Sequence, residues 1–263
     1  MLVYPAAKGK DLRLTLCCLH GLFGRPEHWA GLRESLGARW PVVAPALPLT
    51  AEAAREGVPG MTRHVAAWLS ARGAWRVVLV GNSLGGHVAL DFALRYPRRV
   101  AGVVLAGSAG LLERTFARGV PASPSRAFIR TRVEEVFFDP ALVTEALVGE
   151  VHEYLRDRRN VRASVAWARA TKAYPMGGRL GAVRAPALLL WGEHDRITPL
   201  AVARTFLAGL PHGRLVTIPA CGHAPMLEAP GPFAEEVARF LADLERRHAP
   251  AGPSAGRAAA QVL

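Results

Sequence analysis

A serine sits midway between two glycines in Gly81-Asn82-Ser83-Leu84-Gly85-Gly86, directly after the apolar run Val77-Val78-Leu79-Val80. At a sharp turn from strand to helix, a nucleophile is held out in a strained backbone conformation. Side chains two positions to either side would collide there, so Gly81 and Gly85 are required. The first amides of the following helix point at any oxyanion that develops beside the hydroxyl. A serine hydroxyl is a weak nucleophile unless a base removes its proton, so a base and an acid to orient it must lie elsewhere.

Two later segments offer them. Leu188-Leu189-Leu190-Trp191-Gly192-Glu193-His194-Asp195 is a buried-strand pattern running into an acidic loop, where Glu193, His194 and Asp195 compete. Val216-Thr217-Ile218-Pro219-Ala220-Cys221-Gly222-His223 sets a histidine just beyond another strand. A third segment, His20-Gly21-Leu22-Phe23-Gly24, follows the apolar run Leu12 to Leu19.

The elements that must position these residues alternate between short apolar runs and helix-length amphipathic segments, the pattern of a parallel sheet covered on both faces. Strands are expected at Leu12 to Leu19, Val42 to Ala44, Val77 to Val80, Val100 to Ala106, Ala187 to Trp191 and Leu215 to Ile218. Helices are expected at Thr62 to Arg72, Gly86 to Tyr96, Pro199 to Leu207 and Pro232 to Arg247, with Thr62 and Thr198 as caps and Pro199 in a first turn. The alternation breaks from about Leu111 to Pro175, where helical patterns such as Arg130 to Val136 and Leu142 to Tyr154 predict a lid over the carboxyl edge of the sheet. Residues 1–110 and 176–248 then form the core, 111–175 the lid, and Ala249 to Leu263 a disordered tail.

In these segments the sequence resembles the α/β-hydrolase family, over nearly the whole chain from Leu12 to about Leu244. The resemblance implies a mostly parallel, doubly wound sheet with the helical lid inserted after the sixth family strand. It departs at the start, where little sequence is left for the family's first antiparallel strands. The family's acid position matches Asp195, and the chain order Ser83, Asp195, His223 is the one expected for the fold. The His-Gly loop implies a second oxyanion donor at the Leu22 amide, beside that of Leu84, with His20 as loop organiser. Serine at the elbow argues against the dehalogenases and epoxide hydrolases, which use aspartate there. The string from Gly81 to His87 is similar to the elbow of carbon–carbon bond hydrolases acting on ring-cleavage products. Those usually carry a tryptophan after the histidine, and here Ala224 follows, as in carboxylesterases. Hydrolysis of a small-molecule ester or related acyl bond is therefore expected, ahead of carbon–carbon hydrolysis and of a non-catalytic binding member of the fold.

The bulk composition narrows the partners. A net charge of +12 invites nucleic acid, but the charge is scattered arginine with only Lys8, Lys10 and Lys172 as lysines, and no recognition motif accompanies it. Three cysteines (Cys17, Cys18, Cys221) without Cys-x-x-Cys spacing read as buried hydrophobes. The nine histidines show no ligand spacing, so neither metal nor cofactor is expected. Neither a leader nor a membrane span is visible, which makes the cytoplasm the expected compartment. Phe116, Phe128, Phe137, Phe138, Trp167 and Met176 are pocket candidates with Arg114, Arg130 and Arg162, unranked, although aromatic residues at helical spacing fall in the core more often than in a pocket. Trp29 is expected to pack as structure.

Overall fold

Four apolar runs, Leu16 to Leu19, Val77 to Val80, Val100 to Ala106 and Ala187 to Trp191, are buried on both sides and form the middle of one six-stranded sheet. The computed structural model describes residues 14–111, 121 and 123–248. Its strands are β1 (Thr15–Leu19), β2 (Val42–Val43), β3 (Val77–Asn82), β4 (Val100–Ala106), β5 (Ala187–Gly192) and β6 (Gly213–Ile218). They are ordered β2-β1-β3-β4-β5-β6, and every pair is parallel. All six expected strands are present. Any family strands before β1, and the tail after residue 248, fall outside the described residues.

The helices are α1 (Ala30–Leu36), α2 (Ala51–Ser70), α3 (Leu84–Arg95), α4 (Arg126–Glu134), α5 (Glu145–Arg156), α6 (Arg158–Lys172), α7 (Leu200–Gly209), α8 (Pro225–Glu228) and α9 (Pro230–His248). Successive strand residues serve opposite faces. Leu16 and Cys18 join Trp29, Leu32, Phe233 and Leu241 under α1 and α9. Cys17 and Leu19 join Val65, Val88 and Phe206 under α2, α3 and α7. Trp29 is fully buried, as expected of a packing residue. The three cysteines are buried and unpaired. Burial pushes the thiols of Cys17 and Cys221 up to about 12, so neither is a nucleophile near neutral pH.

Two expected caps are corrected. Helix α2 begins eleven residues before Thr62, at Ala51, and its cap is Thr50, whose hydroxyl accepts from the Ala53 amide. Thr62 is buried inside the helix and donates to the Val58 carbonyl. The sequence of Gly57, Pro59 and Gly60 disguised the first turns. Gly57 has a φ of +61°, and the helix kinks there instead of ending. Pro199 is the cap residue of α7 rather than part of its first turn, and the Thr198 hydroxyl is committed to Asp195.

Between β4 and β5 the chain leaves the sheet. Helices α4, α5 and α6 carry side-chain caps at Ser125, Thr144 and Asp157. Helix α6 packs against α2, burying Trp167 completely. Residues 112–120 and 122, which include Phe116 and Arg114, lie outside the described residues.

Candidate active site

The site is built at the carboxyl ends of β1, β3, β5 and β6, where parallel α/β sheets bring their loops together. Ser83 ends β3 with φ +51° and ψ −119°, and only it and Ala220 have positive φ among the described non-glycine residues. The strain is held in place by backbone bonds. The Ser83 amide donates to the Ala106 carbonyl at 3.1 Å, and the Ser83 carbonyl accepts from the amides of Gly86, His87 and Ala109. A Cβ on Gly81 would lie 2.4 Å from the Gly85 backbone, and one on Gly85 would lie 2.0 Å from the Leu19 carbonyl oxygen. Neither position admits a side chain.

His223 and Asp195 meet across the loops after β6 and β5. Nδ1 of His223 donates to Oδ2 of Asp195 at 2.9 Å, and both side chains are almost fully buried. The carboxylate is further satisfied by the amides of Ile197 and Thr198 on Oδ1, at 2.9 and 2.8 Å, and by the Thr198 hydroxyl on Oδ2 at 2.8 Å. The Thr198 oxygen is also 3.2 Å from Nδ1. Four donors on one buried carboxylate fix its direction, and with Nδ1–H donating to it Nε2 of the imidazole is left as the acceptor. Of the three competing residues after β5, only Asp195 reaches His223. His194 instead stacks on Phe138, with ring centroids 4.3 Å apart.

Ser83 and His223 are tied to each other through β4. Nδ2 of Asn82 donates to the carbonyls of both Ala106 and His223 at 3.0 Å, and Ala106 also accepts from the Ser83 amide. The serine and the imidazole open into one cavity. Asn82 was not singled out in the sequence, and Thr198 was singled out only as a helix cap. Their neighbours in the chain mark the candidate nucleophile and acid, but nothing local signals which long-range partner each side chain takes.

The loop after β1 completes the rim. His20 donates from Nδ1 to the Gly21 carbonyl at 2.8 Å and accepts the Leu47 amide on Nε2 at 3.0 Å. Burial also lowers its pKa, so it is a neutral loop organiser whose two nitrogens are both used. Leu22 lines the cavity, and Leu84 opens α3. Among the described residues neither amide donates a hydrogen bond.

The cavity has a volume of about 170 Å³. Its apolar wall is mostly aliphatic: the insertion contributes Val133, Val136 and Phe137 at and after the end of α4 and Leu147 and Val151 from α5, beside Leu22, Phe23, Ile197, Met226 and Leu227. Its polar members are Asn82, Ser83, His223 and His28, and no lysine or arginine lines it among the described residues. His28 is held toward its neutral form first by burial and then by nearby Arg25. Of the aromatic candidates described, Phe137 alone faces the cavity. Trp167 and Met176 are buried in the opposite core cluster, and Arg130 is spent on Glu145 and the Val143 carbonyl. The loop after β1 also touches α5, through an Arg25–Glu150 ion pair and an edge-to-face contact of Phe23 with Tyr154 at 6.2 Å.

This sheet, with its strained serine between β3 and α3, defines a class, and comparison with known proteins assigns it: the chain belongs to the alpha/beta hydrolase family, whose model matches residues 18–236. The 2-hydroxy-6-oxo-6-phenylhexa-2,4-dienoate hydrolase of Burkholderia cepacia is 31% identical over 194 residues, covering 69% of this chain and 68% of that protein. Among solved structures, a membrane phospholipase A described as a bacterial virulence factor is 27% identical with a TM-score of 0.74, over 90% of this chain and 81% of that one. A thermophilic esterase from Thermogutta terrifontis shares the fold at 22% identity with a TM-score of 0.73, over 88% and 90% of the two chains. No helix among the described residues is long and apolar enough to cross a membrane.

Proposed function

We propose that this hydrolase cleaves the ester, or a related acyl bond, of a small apolar substrate through an acyl-enzyme on Ser83. The observation that carries the reading is the fixed His223–Asp195 pair opening, with the strained serine, into one apolar cavity. In this scheme Nε2 of His223 takes the Ser83 proton as the hydroxyl oxygen attacks the carbonyl carbon. Asp195 holds the imidazole in the required tautomer and stabilises its charged form. The Leu22 and Leu84 amides hold the tetrahedral oxyanion. The loss of one such donor costs about 3 kcal/mol of transition-state stabilisation in comparable sites. The imidazolium then protonates the leaving alcohol, and water, deprotonated by the same histidine, releases the acid. Every atom of this cycle comes from protein, substrate and water. The inserted helices serve as a cap whose inner face binds the acyl group.

A second reading is carbon–carbon hydrolysis, supported by the identity to dienoate hydrolases. Those substrates carry a carboxylate, whereas the described cavity wall offers no cation to receive one. Uncompensated burial of that charge would cost several kcal/mol. This favours neutral esters.

A panel of p-nitrophenyl esters of graded chain length, run beside a dienone-type ring-cleavage product, tests the assignment. Wild type should turn over the esters, and Ser83→Ala should lose both turnover and fluorophosphonate labelling. Faster cleavage of the ring product than of any ester would reverse the ranking. A wild-type protein that neither labels nor turns over, yet binds small apolar ligands, would make the chain a binding member of the fold.

A further inference from the structure

Glu228, at the end of α8, takes no part in the proposed chemistry, yet its carboxylate bridges the His223 loop and the inserted helices. Oε1 accepts the Gly222 amide at 2.8 Å, and Oε2 accepts the Phe138 amide at 2.7 Å. One residue along, the His223 amide donates to the Val136 carbonyl at 2.7 Å, while the His223 carbonyl accepts from Asn82. The main chain of His223 is therefore held at its nitrogen by the insertion and at its oxygen by the nucleophile strand. The approach is close: a Cβ on Gly222 would lie 2.5 Å from the Val136 oxygen and 2.9 Å from Oε1 of Glu228. Val136 and Phe137, between these bonds, line the cavity. The same short segment thus walls the pocket and holds the histidine loop.

We propose that Glu228 is a positioning residue that fastens segment 136–138 of the insertion to the His223 loop, so that the imidazole is correctly placed only while that segment is docked. The proposal rests on the triad reading above. A carboxylate suits the task because both partners are N–H donors and each of its oxygens accepts one in a charge-assisted bond. An amide has a single acceptor oxygen, so in either orientation its NH₂ group would face one of the two backbone donors.

The test compares Glu228→Gln, Glu228→Ala and Gly222→Ala with wild type in the full chain. It reads thermal midpoint, steady-state kinetics on a p-nitrophenyl ester, and the rate and final extent of fluorophosphonate labelling. Misplacing a reacting group by about 1 Å costs on the order of 100-fold. Glu228→Ala is expected to lower kcat by about 10- to 100-fold with KM nearly unchanged, and Glu228→Gln by less. Labelling should become slow but still reach every site. Gly222→Ala separates the same segments from the other side and should repeat the kcat-selective loss, which keeps the test decisive if Glu228→Ala does not fold. Unchanged kcat in folded variants, a loss confined to KM, or a loss matched by sites that never label would overturn the proposal. Ester turnover that survives Ser83→Ala would instead remove the triad reading, and this proposal with it.

Discussion

Thr198→Val removes one hydroxyl and almost nothing else, which makes it a sharp probe of how Asp195 is held. The carboxylate has four donors: the Ile197 and Thr198 amides on Oδ1, and the Thr198 hydroxyl and His223 Nδ1–H on Oδ2. Valine keeps the volume and the backbone amide, so three donors survive, including the histidine. A hydrogen bond to a charged group contributes about 1.5–3 kcal/mol. The variant should lose about 2 kcal/mol of stability, or roughly 4–8 °C in thermal midpoint for a chain of this size. Activity should respond differently. The His223–Asp195 bond remains, so kcat/KM on a p-nitrophenyl ester should fall only about 3- to 10-fold, a change of about 0.7–1.4 kcal/mol. Asp195→Asn, in contrast, reverses the tautomer preference and should cost about 10⁴-fold in kcat. Urea melts and initial rates on the three proteins decide the matter. If Thr198→Val loses as much activity as Asp195→Asn, the hydroxyl and not the carboxylate is the group that orients the imidazole. If it loses no stability, the four-donor account of Asp195 is wrong.

Gly85→Ala should be destabilised by at least about 3 kcal/mol, or fail to accumulate, because its Cβ would meet backbone 2.0 Å away that cannot swing aside; urea denaturation measures this. Val151→Phe should fill the α5 side of the cavity and shift the chain-length optimum toward shorter esters by about 10-fold in relative kcat/KM; an unchanged profile would place the acyl group elsewhere. His87 is buried with its pKa lowered to about 4, chiefly by desolvation. The folded state therefore binds its proton less readily than the unfolded state, and the stability that His87 contributes is present above about pH 6.5 and is lost as pH falls toward 4. A depression of that size corresponds to about 3 kcal/mol. His87→Asn should flatten the stability–pH curve in that window, as read by denaturation between pH 4 and 7.

Much of the fold was legible because a parallel sheet buried on both faces leaves an unmistakable trace: Val77 to Val80 and Leu188 to Trp191 have no polar alternation to confuse with anything else. The strained Ser83 turn was legible for the same local reason, since backbone packed against backbone at Gly81 and Gly85 admits only one residue type. Helix α2 was half hidden, because Gly57, Pro59 and Gly60 look like a loop and become a kink only when α3 and α6 pack against the helix. Helix α6 was missed because its exposed arginines mask a stripe of small residues around Trp167. The roles of Asn82, Thr198 and Glu228 were invisible, because each bridges segments whose meeting is a property of topology and not of neighbouring residues.

The same distinction explains which side chains wall the pocket. Aromatic residues at helical spacing were expected in the core more often than in the pocket, and Val133, Leu147 and Val151 line the cavity while Trp167 lies in the opposite core cluster. A cap must bury one face against the core and leave another lining the cavity. Its largest side chains remove the most apolar area from water when fully enclosed, and a cavity is by construction incompletely filled. Large aromatic residues therefore tend to fall to the core-facing side, while aliphatic residues at helical spacing border the open space. On that argument, under the proposed ester reading, substrate size would be set by aliphatic residues of the insertion. Changes there alter chain-length preference while leaving the Asp195–His223 geometry intact, except in segment 136–138, where pocket wall and histidine support are the same stretch of backbone.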